Sequence, residues 1–126
     1  SLKSELSQAR KAAQQSDQYL AKAEQLMSQK KQGEERRKIL VQAYNNISKA
    51  RDAHRANPEI PDTLLALENH YVSEIKQVIA ADNESLLEAY DNDTRTMEWP
   101  SNRIFELKQM AKKTDKKPKR VITGGF

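Results

Sequence analysis

Leu2, Leu6, Ala9, Ala13, Ser16, Leu20, Ala23 and Met27 recur along the start of the chain at alternating steps of four and three. That spacing returns each of these residues to one side of an α-helix, the seam of a coiled coil. The residues between them are mostly Lys, Gln, Glu and Ser. A lone helix of this kind is marginal in water, so the pattern predicts a helix over 2–31 that lies against a partner. The seam is rich in Ala, which lets the partner approach closely while contributing little buried area.

The break in "KKQGEE" ends that pattern at Gly33. Glu34 and Glu35 then fall in the first turn of a second helix, where carboxylates suit the helix dipole. Leu40, Ala43, Ile47, Ala50 and His54 repeat the spacing, with Tyr44 beside them. Pro58 disfavours helical geometry at Asn57, which places the second helix over 34–56. A short connection makes helices 2–31 and 34–56 an αα-hairpin. "NPEIPD" reads as a linker, and Asp62 or Thr63 as the cap of a third helix over 62–81. This is the most apolar part of the chain. Leu64, Leu67, Tyr71, Ile75 and Val78 line one face, and Leu65, Val72 and Ile79 widen it.

"ADNESLLEAYDND" either continues that helix or starts a fourth one capped at Asp82 or Asn83, and the break is the favoured reading. Residues Asp91 to Met97 read as loop. "WPSNRIFELKQMAKK" supports a short last helix from about Ser101 to Lys113, with Ile104, Leu107 and Ala111 on one side. Beyond it, Pro118 and Gly124-Gly125 carry no helix signal.

The expected fold is therefore all-α: an elongated antiparallel bundle of three to four helices over 1–98. A short amphipathic C-terminal helix and a flexible basic tail follow over 99–126. Composition agrees. Hydrophobic residues are 37% and charged residues 32% of the 126, with a mean hydropathy of −0.93, too polar for a thick core. Only 3 Gly and 4 Pro are present, too few for a loop-rich β-sandwich. The lack of cysteine excludes disulfides, thiolate zinc sites and cysteine nucleophiles. It also fits an intracellular protein, cytoplasmic or nuclear. No apolar run reaches the roughly 18 to 20 residues of a membrane span, and no signal-peptide pattern opens the chain. The chain begins "SLKSELSQ" without Met, as an excised fragment would.

The stretch "AYNNISKARDAHRANPEIP" resembles the second helix of a tetratricopeptide repeat, with Ala43, Ile47 and Ala50 in its small-large-small positions. Pro58 falls late for that pattern, and no first helix with its Trp, Leu-Gly and Tyr signature precedes it. Membership is not assigned.

Charge is laid out in blocks: net +6 over 1–58, −8 over 59–100 and +6 over 101–126, giving +4 in all. An acidic middle between basic flanks suits pairing within the molecule, each exposed pair being worth at most about 1 kcal/mol. The second basic block contains "KKTDKKPKR", where Lys112, Lys113, Lys116, Lys117, Lys119 and Arg120 face Asp115 alone. Six phosphate contacts would give binding a log–log salt slope of about −5. No aromatic lies inside the cluster to stack on bases; Phe126 stands apart from it. "KKPKR" also resembles a short nuclear-import signal.

No catalytic signature emerges. Glu68, His70 and Glu74 in "ENHYVSE" lack the two-histidine spacing of a zinc protease and the Glu-x-x-His pairs of di-iron bundles. His54 reads as an ordinary seam residue. "DNDTRTME" begins like a calcium loop at Asp91 and Asp93, but Arg95 replaces the third oxygen ligand and the turn glycine is missing. Sequons occur at Asn46, Asn83 and Asn92, where roughly one is expected by chance, and they are a weak hint of secretion at best. No metal, cofactor or catalytic residue is expected.

"TMEWPSNRIFELKQM" is the better candidate for function. Trp99 precedes Pro100 and a short amphipathic helix; either the two cap the open end of the bundle, or Trp99, Ile104, Phe105, Leu107 and Met110 make a helix-in-groove contact. The leading expectation is a non-enzymatic protein-interaction module: an adaptor, scaffold or assembly subunit. Its partner would be another protein, helical or presenting a groove, in a homo- or hetero-oligomer. The alternative is a nucleic-acid-associated protein that binds phosphates through the basic tail, aided by Arg36, Arg37 and Lys38 near the hairpin turn.

Overall fold

The computed structural model describes residues 1–98 and 101–112. They form an all-α helical bundle: α1 (Leu2–Ser28), α2 (Gly33–Ala53), α3 (Ile60–Ala80), α4 (Glu84–Thr96) and α5 (102–112), with no strand among them. Helices pack against each other as the apolar periodicity predicts. The chain divides within α3 into two compact units, Ser1–His70 and Tyr71–Phe126. No described helix is long and apolar enough to cross a membrane.

In the first unit, α1 and α2 form an antiparallel hairpin. Near the turn, the Arg36 guanidinium donates to the Met27 carbonyl at 2.9 Å; far from it, the Ser16 hydroxyl donates to the Ala50 carbonyl at 2.7 Å. The turn relies on Gly33, whose φ of +61° lies in the left-handed region that side chains with a Cβ rarely adopt. Leu20, Ala23, Leu26 and Met27 of α1 are buried, as are Ile39, Leu40, Ala43, Ile47 and Ala50 of α2. Ala23, Ala43 and Ala50 are fully buried, so the two backbones meet across small side chains.

Both helices end earlier than the periodicity predicts, α1 at Ser28 rather than 31 and α2 at Ala53 rather than 56. Asn57 explains the second difference. Its side-chain amide donates to Ser16 Oγ (2.8 Å) and Asp17 Oδ1 (2.9 Å), and its Oδ1 accepts from the Glu59 amide (3.0 Å). These bonds hold the connection on α1 and stop α2 short. They also start α3 at Ile60, two residues before the expected Asp62, with Pro61 in a first turn that needs no amide donor there. Thr63 is therefore not a cap. It is buried, and its hydroxyl donates to the Glu59 carbonyl at 3.0 Å. Ile60 and Leu67 are buried with it.

In the second unit, Tyr71, Val72, Ile75 and Val78 continue the buried face of α3. The Tyr71 and Tyr90 rings meet edge to face, centroids 5.9 Å apart. A Schellman motif ends α3: the Asn83 amide donates to the Val78 carbonyl and the Asp82 amide to the Ile79 carbonyl, with Asp82 at φ +54°. Asn83 then caps α4, its Oδ1 accepting from the Leu86 amide at 3.1 Å, so the favoured break is present. The loop expected over Asp91–Met97 is not; α4 continues to Thr96. "DNDT" has poor helix propensity, but tertiary contacts override it. Tyr90 is buried, Arg95 pairs with Asp91 at 3.5 Å, and Lys108 of α5 reaches back to the same carboxylate. The residues that began like a calcium loop are thus helical.

Candidate functional site

Ser101 starts α5, its hydroxyl accepting from the Ile104 amide at 3.3 Å. The helix is amphipathic. Ile104 is only 3% exposed, and Leu107, Lys108 and Ala111 are half-buried on the same side. Phe105 and Met110 project outward, 58% and 64% exposed.

Between α4 and α5 lies an open groove of about 520 Å³. Thr94, Arg95, Met97 and Glu98 line one wall; Ser101, Asn102, Ile104, Phe105 and Lys108 line the other. A Lys108–Asp91 ion pair of 2.7 Å and a Lys108–Thr94 hydrogen bond of 3.1 Å fix one end. Partial burial alone would raise the Asp91 pKa. The Lys108 hydrogen bond, together with the charges of Lys108, Arg95 and Lys112, outweighs that and holds it below the usual aspartate value. The groove thus joins an apolar surface (Met97, Ile104, Phe105) to a rim carrying both signs of charge. What it can do is accept an apolar side chain while its rim bonds to polar groups alongside.

Of the five residues singled out for partner contact, the four described ones do not share one face. Ile104 is in the core, Leu107 is half-buried, and Phe105 and Met110 are exposed. The reason is geometric, since consecutive helix positions differ by about 100°. Trp99 lies outside the described residues, as do Lys113, Lys116, Lys117, Lys119 and Arg120. Lys112 is exposed at the end of α5.

Arg36 is not an open phosphate ligand. It is 6% exposed, bonded to the Met27 and Gln29 carbonyls at 2.9 and 3.1 Å, and its Nη2 stands 2.9 Å from His70 Nδ1. A guanidinium has only donors, so Nδ1 accepts. This ties α3 to the hairpin turn and sets a positive charge beside His70. Arg37 pairs with Glu34 one turn back. Among the described residues no group of three or more His, Asp or Glu side chains is arranged to hold a metal ion.

Sequence reasoning missed the groove's polar members, Thr94, Arg95 and Lys108. The i,i+4 pair Asp91/Arg95 was a signal for helix there, but nothing local points to Lys108 as their partner.

No protein-family model matches the chain, and no curated protein or solved structure matches it.

Proposed function

We propose that the chain is a non-enzymatic protein-interaction module, an adaptor, scaffold or assembly subunit, that receives an apolar side chain of a partner protein in the α4–α5 groove. One observation carries this reading: Phe105, 58% exposed, stands on the wall of a groove of about 520 Å³. A large aromatic left in water beside a concave apolar surface is the usual makeup of an interface anchor. The mixed rim of Arg95, Glu98 and Lys108 would set orientation more than affinity. An intracellular setting agrees with the cysteine-free composition.

The test is affinity capture with the whole chain against Phe105→Ala and Met97→Ala variants whose helicity and unfolding midpoint match the parent. Loss of the same captured proteins in both variants is the expected result. An unchanged set would remove the groove from consideration. A duplex-binding assay runs alongside: tight binding with a steep salt slope, abolished by deleting 112–126, would instead favour the phosphate-binding reading.

A further inference from the structure

A second surface, remote in sequence from the groove, lies on the first turns of α1. With 27 residues α1 is about 40 Å long, and the 21-residue α2 about 31 Å. The hairpin is closed from Ser16 onward, where Ser16 meets Ala50 and Asn57. Toward the N-terminus residues 1–11 are exposed throughout, Leu2 at 79% and Leu6 at 58%, while Ala12 and Ala13 are half-buried. Yet the four-and-three spacing that is buried from Ser16 to Met27 runs unbroken to Leu2.

The order of side chains along this stripe is large, large, small, small: Leu2, Leu6, Ala9, Ala13. Turned end for end, the same stripe sets Leu2 against Ala13 and Leu6 against Ala9, so every layer joins one large and one small residue. That relation holds about a two-fold axis, the symmetry of an isologous dimer. A parallel copy would instead stack leucine on leucine and alanine on alanine, leaving the alanine layers underfilled.

We propose that the Leu2–Ala13 stripe of α1, exposed at Leu2, Leu6 and Ala9 and half-buried at Ala13, docks antiparallel on the same stripe of a second copy of this chain. The contact is apolar, and charge opposes it. Lys3 and Arg10, seven residues apart, lie on one edge of the seam, so Lys3 of one copy comes near Arg10 of the other. On the opposite edge Glu5 comes near Ala12. The overlap of about 17 Å of helix is short for a stable interface, so the dimer forms only at high protein concentration. Added salt screens the like charges and strengthens it, opposite to the behaviour of a charge-driven contact.

Sedimentation velocity over a hundredfold concentration range, at low and high salt, reads this directly. The average mass is expected to rise with concentration and with salt. Leu6→Glu should abolish the rise without loss of helicity, and Phe105→Ala should leave it unchanged. Ala9→Leu is the sharper variant. It adds apolar surface, which would tighten a merely adhesive patch, but here it puts two leucines in one layer and should weaken association. Because the native chain lacks cysteine, a mixture of Leu6→Cys and Ala9→Cys variants should oxidise mainly to the mixed 6–9 disulfide. A monomer at every concentration would overturn the proposal. So would association that survives Leu6→Glu, or that Ala9→Leu tightens.

Discussion

Two buried polar side chains do more for the first unit than their chemistry suggests in isolation. Arg36 satisfies carbonyls at the end of α1, which lack partners within their own helix, and reaches His70 from the same guanidinium. Truncating it leaves those acceptors without their charged donor, so Arg36→Ala should cost about 2–3 kcal/mol in urea unfolding. Arg36→Lys should recover only part of this, because one ammonium cannot reproduce a planar fork of donors. Asn57 is comparable. It joins Ser16, Asp17 and Glu59, and Asn57→Ala should cost about 1–3 kcal/mol. Because Asn57 and Ser16 share a hydrogen bond, their losses should not add. A double-mutant cycle with Ser16→Ala that gave strictly additive values would show the two to be independent. Neither role is visible in a string of letters. Arg36 reads as one more base near a turn, and only the approach of α1 and α3 makes it a buried tie.

At the scale of elements, α4 is where local preference and tertiary contact disagree. Its start is written locally: Asp82 takes the left-handed position that ends α3, and Asn83 caps the next helix. Asp tolerates that position, but glycine suits it better and a β-branched residue does not. Asp82→Gly should therefore raise stability by up to about 1 kcal/mol and Asp82→Val should lower it, as thermal unfolding would read. The end of α4 depends on α5, through Lys108 on Asp91 and Thr94. Asp91 carries a lowered pKa, so its stabilising effect is complete above the unfolded value of about 3.9 and is lost as pH falls through the lower folded value. The stability gap between the parent and Asp91→Asn should therefore be largest at neutral pH and shrink below pH of about 4. A gap that stayed constant from neutral to acid pH would show that the ion pair contributes nothing to folding.

For the whole molecule, the seam of α1 makes one sequence pattern serve two fates. Leu20→Ala, inside the hairpin, should cost about 2–5 kcal/mol, whereas Leu2→Ala with Leu6→Ala should change monomer stability by less than about 0.5 kcal/mol. Unfolding measured at low protein concentration separates these outcomes. The apolar stripes that carry the bundle (Leu20, Ala23 and Met27; Leu40, Ala43, Ile47 and Ala50; Leu67, Tyr71, Ile75 and Val78) are legible because helix periodicity is a local property. So are the caps and breaks at Gly33, Asn83 and Ser101, which act over a few residues of backbone. The reach of each stripe is not local. Leu2 obeys the same spacing as Leu20, but α2 stops at Ala53 and leaves Leu2 in water. The groove is likewise illegible, because Thr94, Arg95 and Lys108 belong to it only once α5 folds back along α4. Periodicity tells which way a side chain points from its own helix axis; whether anything waits there depends on groups tens of residues away, whose positions follow from where each helix ends.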